Sequence, residues 1–142
     1  MSDESRPEET GRVGGRLRKR ERIISQKQID QLFSGGQSQS LAAFPLRAVY
    51  MQMAKEAEAE SVQILVSVPK RKLHHAVDRN RVKRQVREAY RKQKTLLTSR
   101  LNEGQRMAVA FLWLSDRLYS SAEIDSRMKS LLERINLRTT DI

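Results

Sequence analysis

Residues 62–97 read VQILVSVPKRKLHHAVDRNRVKRQVREAYRKQKTLL, and this stretch decides the fold. Val62, Ile64, Val66 and Val68 alternate with Gln63, Leu65 and Ser67, the period of a strand with one firmly apolar face. Three basic residues, Lys70, Arg71 and Lys72, leave the end of that strand. From Arg79 to about Leu97 the period becomes helical. Val82, Val86, Ala89, Tyr90 and Leu97 gather on one side, and Lys83, Arg84, Arg87, Arg91 and Lys94 gather on the other at steps of three or four. Asp78 stands as the N-cap, its carboxylate facing the orphan amides of the first turn. One face of this helix packs and the other carries stacked positive charge.

Downstream, Met107 to Leu114 (MAVAFLWL) is a near-continuous apolar run, the pattern of a strand covered on both faces. Ser120 and Glu123 have capping-box spacing, with Tyr119 and Ile124 as a staple, and Ile124, Met128, Leu131, Leu132 and Ile135 then form an amphipathic terminal helix. Upstream, Ser25 to Ser34 reads as a short helix. Ser25 and Gln28 have the capping-box spacing, Ile24 can staple to Ile29, and Ile29, Leu32 and Phe33 make one apolar stripe. Gly35-Gly36 supplies its left-handed stop. Phe44 to Met53 reads as a strand, and AKEAEAE (54–60) as the loop of a long hairpin joining it to the strand at 62–68. The order is α-β-β-α-β-α, an α+β sandwich in which helices pack on a single sheet. Residues 1–21 read as a disordered tail that turns basic near its end, 22–138 as a single domain, and 139–142 as a C-terminal tail.

A chain of 142 residues is long enough for one domain with a real core. It has no cysteine, which excludes a disulfide scaffold, a thiolate metal site and a cysteine nucleophile, and is compatible with a reducing compartment. No apolar run is long enough to span a bilayer, and the N-terminus MSDESRPEET does not resemble a signal peptide, so a cytoplasmic location is expected. The net charge is +11 and is concentrated: residues 68–94 hold eleven basic residues against Asp78 and Glu88, while the rest of the chain is near balance. Like charges packed together repel, so stability alone does not ask for this cluster, and a polyanionic partner does.

The physics of residues 68–91 favours a sugar–phosphate backbone. A helix N-terminus attracts phosphate through its unpaired amides and positive dipole end. Arg79 and Arg81 can each grip a phosphate bidentately, Asn80 can donate through its amide, and Lys83, Arg84 and Arg87 extend the track. Such contacts position a nucleic acid without reading its sequence, so recognition of folded RNA by shape is expected. A DNA-reading helix fits less well, because only Asn80 and Gln85 are short base readers and no dimer element is evident. A structural RNA binder of the ribosomal-protein type remains an alternative.

The run Arg79-Asn80-Arg81-Val82-Lys83-Arg84, followed by Arg87-Glu88-Ala89-Tyr90-Arg91, resembles the signature of the protein subunit of bacterial ribonuclease P. The resemblance covers roughly Arg18 to Leu137, and the order of elements agrees. It implies a sandwich like the second domain of ribosomal protein S5. It also implies an RNA-binding subunit that assists a catalytic RNA in removing the 5′ leader from precursor transfer RNA, with magnesium ions held by that RNA. Carried over to this chain, Lys70, Arg71, Lys72, Arg79, Asn80, Arg81, Lys83, Arg84, Arg87 and Arg91 would face RNA. Phe33 would lie in the cleft that receives the leader, with Phe44 and Tyr50 as the nearest strand aromatics. Base stacking on an aromatic face tolerates any base, which suits many different leaders.

Three positions depart from the family pattern. Ile29 stands where a second cleft aromatic is common, Leu73-His74-His75 stands where a glycine is frequent, and three strands are legible where the family has four. Other features have plainer readings. Phe33 on an apolar stripe packs in its own right. Adjacent His74 and His75 do not converge on one metal ion. Trp113 and Tyr90 read as core, Glu88 beside Arg87 and Arg91 as an intrahelical ion pair, and no constellation equips the chain to catalyse hydrolysis itself. No protein partner is evident.

Overall fold

The computed structural model describes residues 21, 26–34, 36, 38–54, 62–98 and 105–140. The expected N-terminal tail, the Ser25 cap with its Ile24 staple, Gly35 and nearly all of the 54–60 loop lie outside the described residues. The elements run α1 (Gln26–Ser34), β1 (Gln39–Ala43), β2 (Leu46–Ala54), β3 (Val62–Ser67), α2 (Ala76–Gln93), α3 (Thr95–Thr98), β4 (Gln105–Trp113) and α4 (Ser121–Thr140). The four strands form one sheet in the order β1-β2-β4-β3.

The α+β class stands, and the sheet corrects the sequence reading in two places. The strand expected over 44–53 is a pair. β1 and β2 are antiparallel, Ala43 opposite Leu46, and the chain reverses at Phe44-Pro45, whose peptide is cis. Pro45 has no amide hydrogen for the ladder, so the reversal falls where it stands. This recovers the fourth strand. Second, β2 and β3 are not a hairpin. β4 lies between them, antiparallel to β2 and parallel to β3, with Tyr50 and Ile64 both opposite Val109. β4 is the most continuously apolar strand and takes the place where both of its faces are covered.

Alternation sorts the side chains into two clusters. Leu46, Ala48 and Tyr50 of β2, Val62, Ile64 and Val66 of β3, and Met107, Val109, Phe111 and Trp113 of β4 meet Val82, Val86, Ala89 and Tyr90 of α2 and Ile124, Met128, Leu131, Leu132 and Ile135 of α4. On the opposite face Leu32 is fully buried against Ala108 and Ala110, with Ile29, Val49, Met51, Leu65 and Leu112 packed around them. Two alanines at the centre of that face let α1 lie close. Gly36 follows α1 with φ +78°, the left-handed conformation that favours glycine. Trp113 meets the edge of Tyr119, ring centres 5.6 Å apart, so its structural reading holds.

Both ends of the long helix differ from expectation. α2 starts at Ala76, and the His75 carbonyl accepts from the amides of Asp78 and Arg79, each at 3.1 Å. The N-cap is His75 and its side chain makes no cap bond; Asp78 lies inside the first turn. An acid is favoured at either position by the same dipole, so spacing alone does not separate them. At the other end α2 stops at Gln93, and α3 carries Leu97 into the core against α4.

The start of α4 is a complete capping box. The Glu123 amide donates to Ser120 Oγ at 3.1 Å, and the Ser120 amide and hydroxyl both donate to Glu123 Oε1 at 3.0 Å. The hydrogen bonds from the Ser120 amide and hydroxyl, helped by the positive charges of Arg127 and Arg117, hold the Glu123 carboxyl below its usual range. Ser120→Ala should lower stability by about 1 kcal/mol, read by urea unfolding. Because the folded state lowers the Glu123 pKa, its contribution is complete above the ordinary carboxylate range. It disappears as pH falls through the lowered value. The Glu123→Gln variant should therefore show a smaller drop in urea midpoint between neutral and acid pH than the parent chain.

Candidate nucleic-acid interface

The sheet register brings the functional segments to one end of the molecule. β3 runs parallel to β4 with Ser67 opposite Leu112, and Leu46, just after the Phe44-Pro45 turn, lies opposite Trp113. The ends of β3 and β4 and the β1–β2 turn therefore share an end of the sheet, and β3 leads directly into the basic turn Lys70–Lys72. That turn is closed by the Pro69 carbonyl, which accepts from the amides of Lys72 at 3.0 Å and Leu73 at 3.3 Å. Leu73 is buried in the core, while Lys70 and Arg71 are exposed and Lys72 is half-buried. α2 begins three residues beyond Leu73 at this same end.

Burial of Val82, Val86, Ala89 and Tyr90, each at 0% exposure, sets the orientation of α2. Asn80, Arg81 and Arg84 are consequently exposed, and Lys83 and Arg87 half-buried on the flank. Among the described residues, Lys70, Arg71, Lys72, Asn80, Arg81, Lys83 and Arg84 have no hydrogen bond or ion pair to another side chain. The second half of the helix is different. Arg91 is paired with Glu88 through Nε, at 3.1 Å to each carboxylate oxygen, and through Nη2. Lys92 pairs with Asp125 at 2.7 Å and Lys94 with the buried Glu21 at 2.9 Å. The intrahelical pair read from the sequence is present, and it corrects the placement of Arg91 in the open track. Within α2 and the turn before it, the cations without an ion pair among the described residues lie in the turn and the first half of the helix.

Two further expectations are corrected. Arg79 closes the first turn of α2 but does not reach outward with both guanidinium nitrogens; its Nη1 donates to the carbonyls of Leu73 at 3.0 Å and His74 at 2.9 Å. Gln85, weighed as a base reader, is tied to the start of α4, its Nε2 donating to Tyr119 O at 3.2 Å and Ser121 Oγ at 3.0 Å.

The aromatics separate cleanly. Tyr50 shares the face of Leu46 and Ala48, is 4% exposed, and donates its hydroxyl hydrogen to Gln39 Oε1 at 3.1 Å. It lies on the α2 and α4 side of the sheet, so it is removed from the cleft; a period of two gives each strand residue one face only. Phe33 is 49% exposed beside the packed Leu32 of α1, and Phe44 is 56% exposed in the β1–β2 turn. Across the face that α1 only partly covers run Val49, Met51, Leu65 and Leu112, all half-buried. Arg47 lies on that face opposite Leu112, exposed, and its side chain makes no hydrogen bond to a described residue. In the sequence it stands out only as a charge that interrupts an otherwise apolar strand. His74 and His75 are exposed, and among the described residues no three His, Cys, Asp or Glu side chains are grouped to hold a metal ion.

A family model described as Ribonuclease P matches residues 17–136. The chain belongs to the ribonuclease P protein family. It is 41% identical over 120 residues to the ribonuclease P protein component of Porphyromonas gingivalis, covering 84% of this chain and 85% of that protein. It is 34% identical over 109 residues to the component of Chlorobium phaeobacteroides, covering 71% and 73%. The ribonuclease P protein of Thermotoga maritima has the same fold, with a TM-score of 0.59 at 17% identity over 80% of this chain and 96% of that one. So does a mutant of the Staphylococcus aureus protein, with a TM-score of 0.59 at 17% identity over 80% and 86%. As in the ribonuclease P fold, a four-stranded sheet carries the packed helices. No helix among the described residues is long and apolar enough to cross a membrane.

Two substitutions test this placement. Arg81→Ala combined with Arg84→Ala should lower the salt dependence of RNA affinity by about 1.4–1.8 in log–log slope, at roughly 0.7–0.9 per phosphate contact. Tyr50→Phe should lower stability by about 0.5–1.5 kcal/mol and leave RNA affinity unchanged, measured by urea unfolding and filter binding.

Proposed function

We propose that this ribonuclease P protein grips the backbone of its RNA subunit with Lys70, Arg71, Lys72, Asn80, Arg81, Lys83, Arg84 and Arg87, and holds the precursor transfer RNA 5′ leader against the open sheet face beside Phe33. Family membership carries the activity: the chain is the protein component of an endoribonuclease that works with an RNA subunit in processing transfer RNA 5′ leaders. The observation that supports the proposed surface is that Lys70, Arg71, Lys72, Arg81, Lys83 and Arg84 make no ion pair among the described residues, beside carboxylate-paired cations further along the helix. Charge left uncompensated on a well-packed helix is available to phosphates, and phosphate contact supplies affinity without sequence preference. In this reading the reaction is carried by the RNA and by magnesium ions on it, and the protein supplies binding. Site of action is the cytoplasm, where precursor transfer RNA is made.

The leader would cross the face floored by Val49, Leu65 and Leu112, with Phe33 at its border as a stacking surface and Arg47 as a nearby charge. Phe44 lies at the end of the same sheet and is the outer aromatic of this path.

Adding the protein to its cognate catalytic RNA at low magnesium should raise precursor cleavage; no gain overturns the assignment in favour of a structural RNA binder. Phe33→Ala should change stability by no more than about 0.5 kcal/mol, because the ring is half exposed. It should weaken leader binding by about 1–3 kcal/mol, measured with precursors that carry or lack a leader.

A further inference from the structure

We infer that Arg79 is a positioning residue for the RNA-binding surface: it holds the connector 70–75 in the shape that presents Lys70, Arg71 and Lys72 alongside α2. The inference rests on the proposed RNA-facing reading of that turn. Its basis is one side chain with two acceptors. Arg79 Nη1 donates to the Leu73 carbonyl at 3.0 Å and to the His74 carbonyl at 2.9 Å. Among the described residues, no other side chain bonds to the connector backbone; its remaining ties are the Pro69 turn, the burial of Leu73 and the start of α2. The connector has no glycine and its two histidines are exposed, so nothing in its own composition specifies its shape.

A guanidinium holding two carbonyls must release both before that nitrogen can take a phosphate, and the carbonyls would lose a charge-assisted partner. Arg81 and Arg84, exposed and unpaired among the described residues, face no such cost. The two flanking arginines of the Arg79-Asn80-Arg81 run therefore divide the work. Arg79 fixes the turn that precedes the helix, and Arg81 is free to meet the RNA. Loss of Arg79 would loosen three basic residues together, not remove one contact.

The test is a thermodynamic cycle in RNA binding. The four proteins are the parent, Arg79→Met, the triple variant Lys70→Ala, Arg71→Ala, Lys72→Ala, and the two combined. Affinity for the cognate catalytic RNA is measured over a range of salt. Methionine keeps the aliphatic stem and removes the donors. The triple variant should lower the salt slope by about 2–3, at roughly 0.7–0.9 per contact. Arg79→Met should approach that loss alone, and the combined variant should bind no worse than the triple. Amide exchange at residues 73–75 of the free protein should rise in Arg79→Met while near-ultraviolet circular dichroism stays that of the folded chain. Arg79→Gln, too short to span both carbonyls, should behave the same way and serves if Arg79→Met does not fold. A slope loss of a single contact that adds fully to the triple overturns the inference and makes Arg79 a phosphate ligand. Unchanged affinity and slope in Arg79→Met also overturn it. A triple variant that binds like the parent overturns the RNA-facing reading of the turn instead, and the positioning role falls with it.

Discussion

Everything at the surface depends on the burial of one side of α2. Val82, Val86 and Tyr90 are completely enclosed against the sheet and α4. Each fully buried side chain of this kind contributes about 1.5–3 kcal/mol. Like charges one turn apart on a helix cost only about 0.2–0.5 kcal/mol per pair. Packing therefore wins easily, and the helix can carry a row of positive charge that would not sustain an isolated peptide. Because the buried positions fix the rotation of the helix, they also fix which cations face outward.

That charge is unevenly distributed along the helix. Glu88, Asp125 and Glu21 occupy Arg91, Lys92 and Lys94 at its far end. The Arg91–Glu88 and Lys92–Asp125 pairs are exposed, and such pairs contribute little to stability; the Lys94–Glu21 pair is largely buried. Together they leave the cations that are unpaired among the described residues where β3 passes through the basic turn into α2, the end that also carries the Phe44 turn. A basic surface and an aromatic-bordered face thus adjoin, the combination single-stranded and folded RNA both require.

Much of the fold was legible because local rules acted alone. The alternation of Val62 to Val68, the double-sided run at Met107 to Trp113 and the Ser120–Glu123 box all appear where their patterns place them. Readings that depended on neighbours shifted. A hairpin between β2 and β3 was the simplest connection, but β4 intervenes. Asp78 was the natural cap by residue type, yet the helix begins one turn sooner. Tyr50 had the right chemistry for the cleft and the wrong parity for its face. The Ribonuclease P signature could be recognised from residue order because it is a contiguous run on one helix. Which members of it touch carbonyls, carboxylates or solvent could not.

By itself the sequence determined the α+β class, the one-sided basic helix and the membership of the chain in its family. Periodicity, charge density and a contiguous motif are properties of neighbours along the chain. Tertiary structure alone decided that Arg79 turns back to Leu73 and His74, that Lys94 meets Glu21 from 73 residues away, and that Tyr50 is enclosed. The reason is physical: a hydrogen bond or ion pair requires atoms within about 3 Å, and strand order and helix rotation, not spacing in the chain, bring them there.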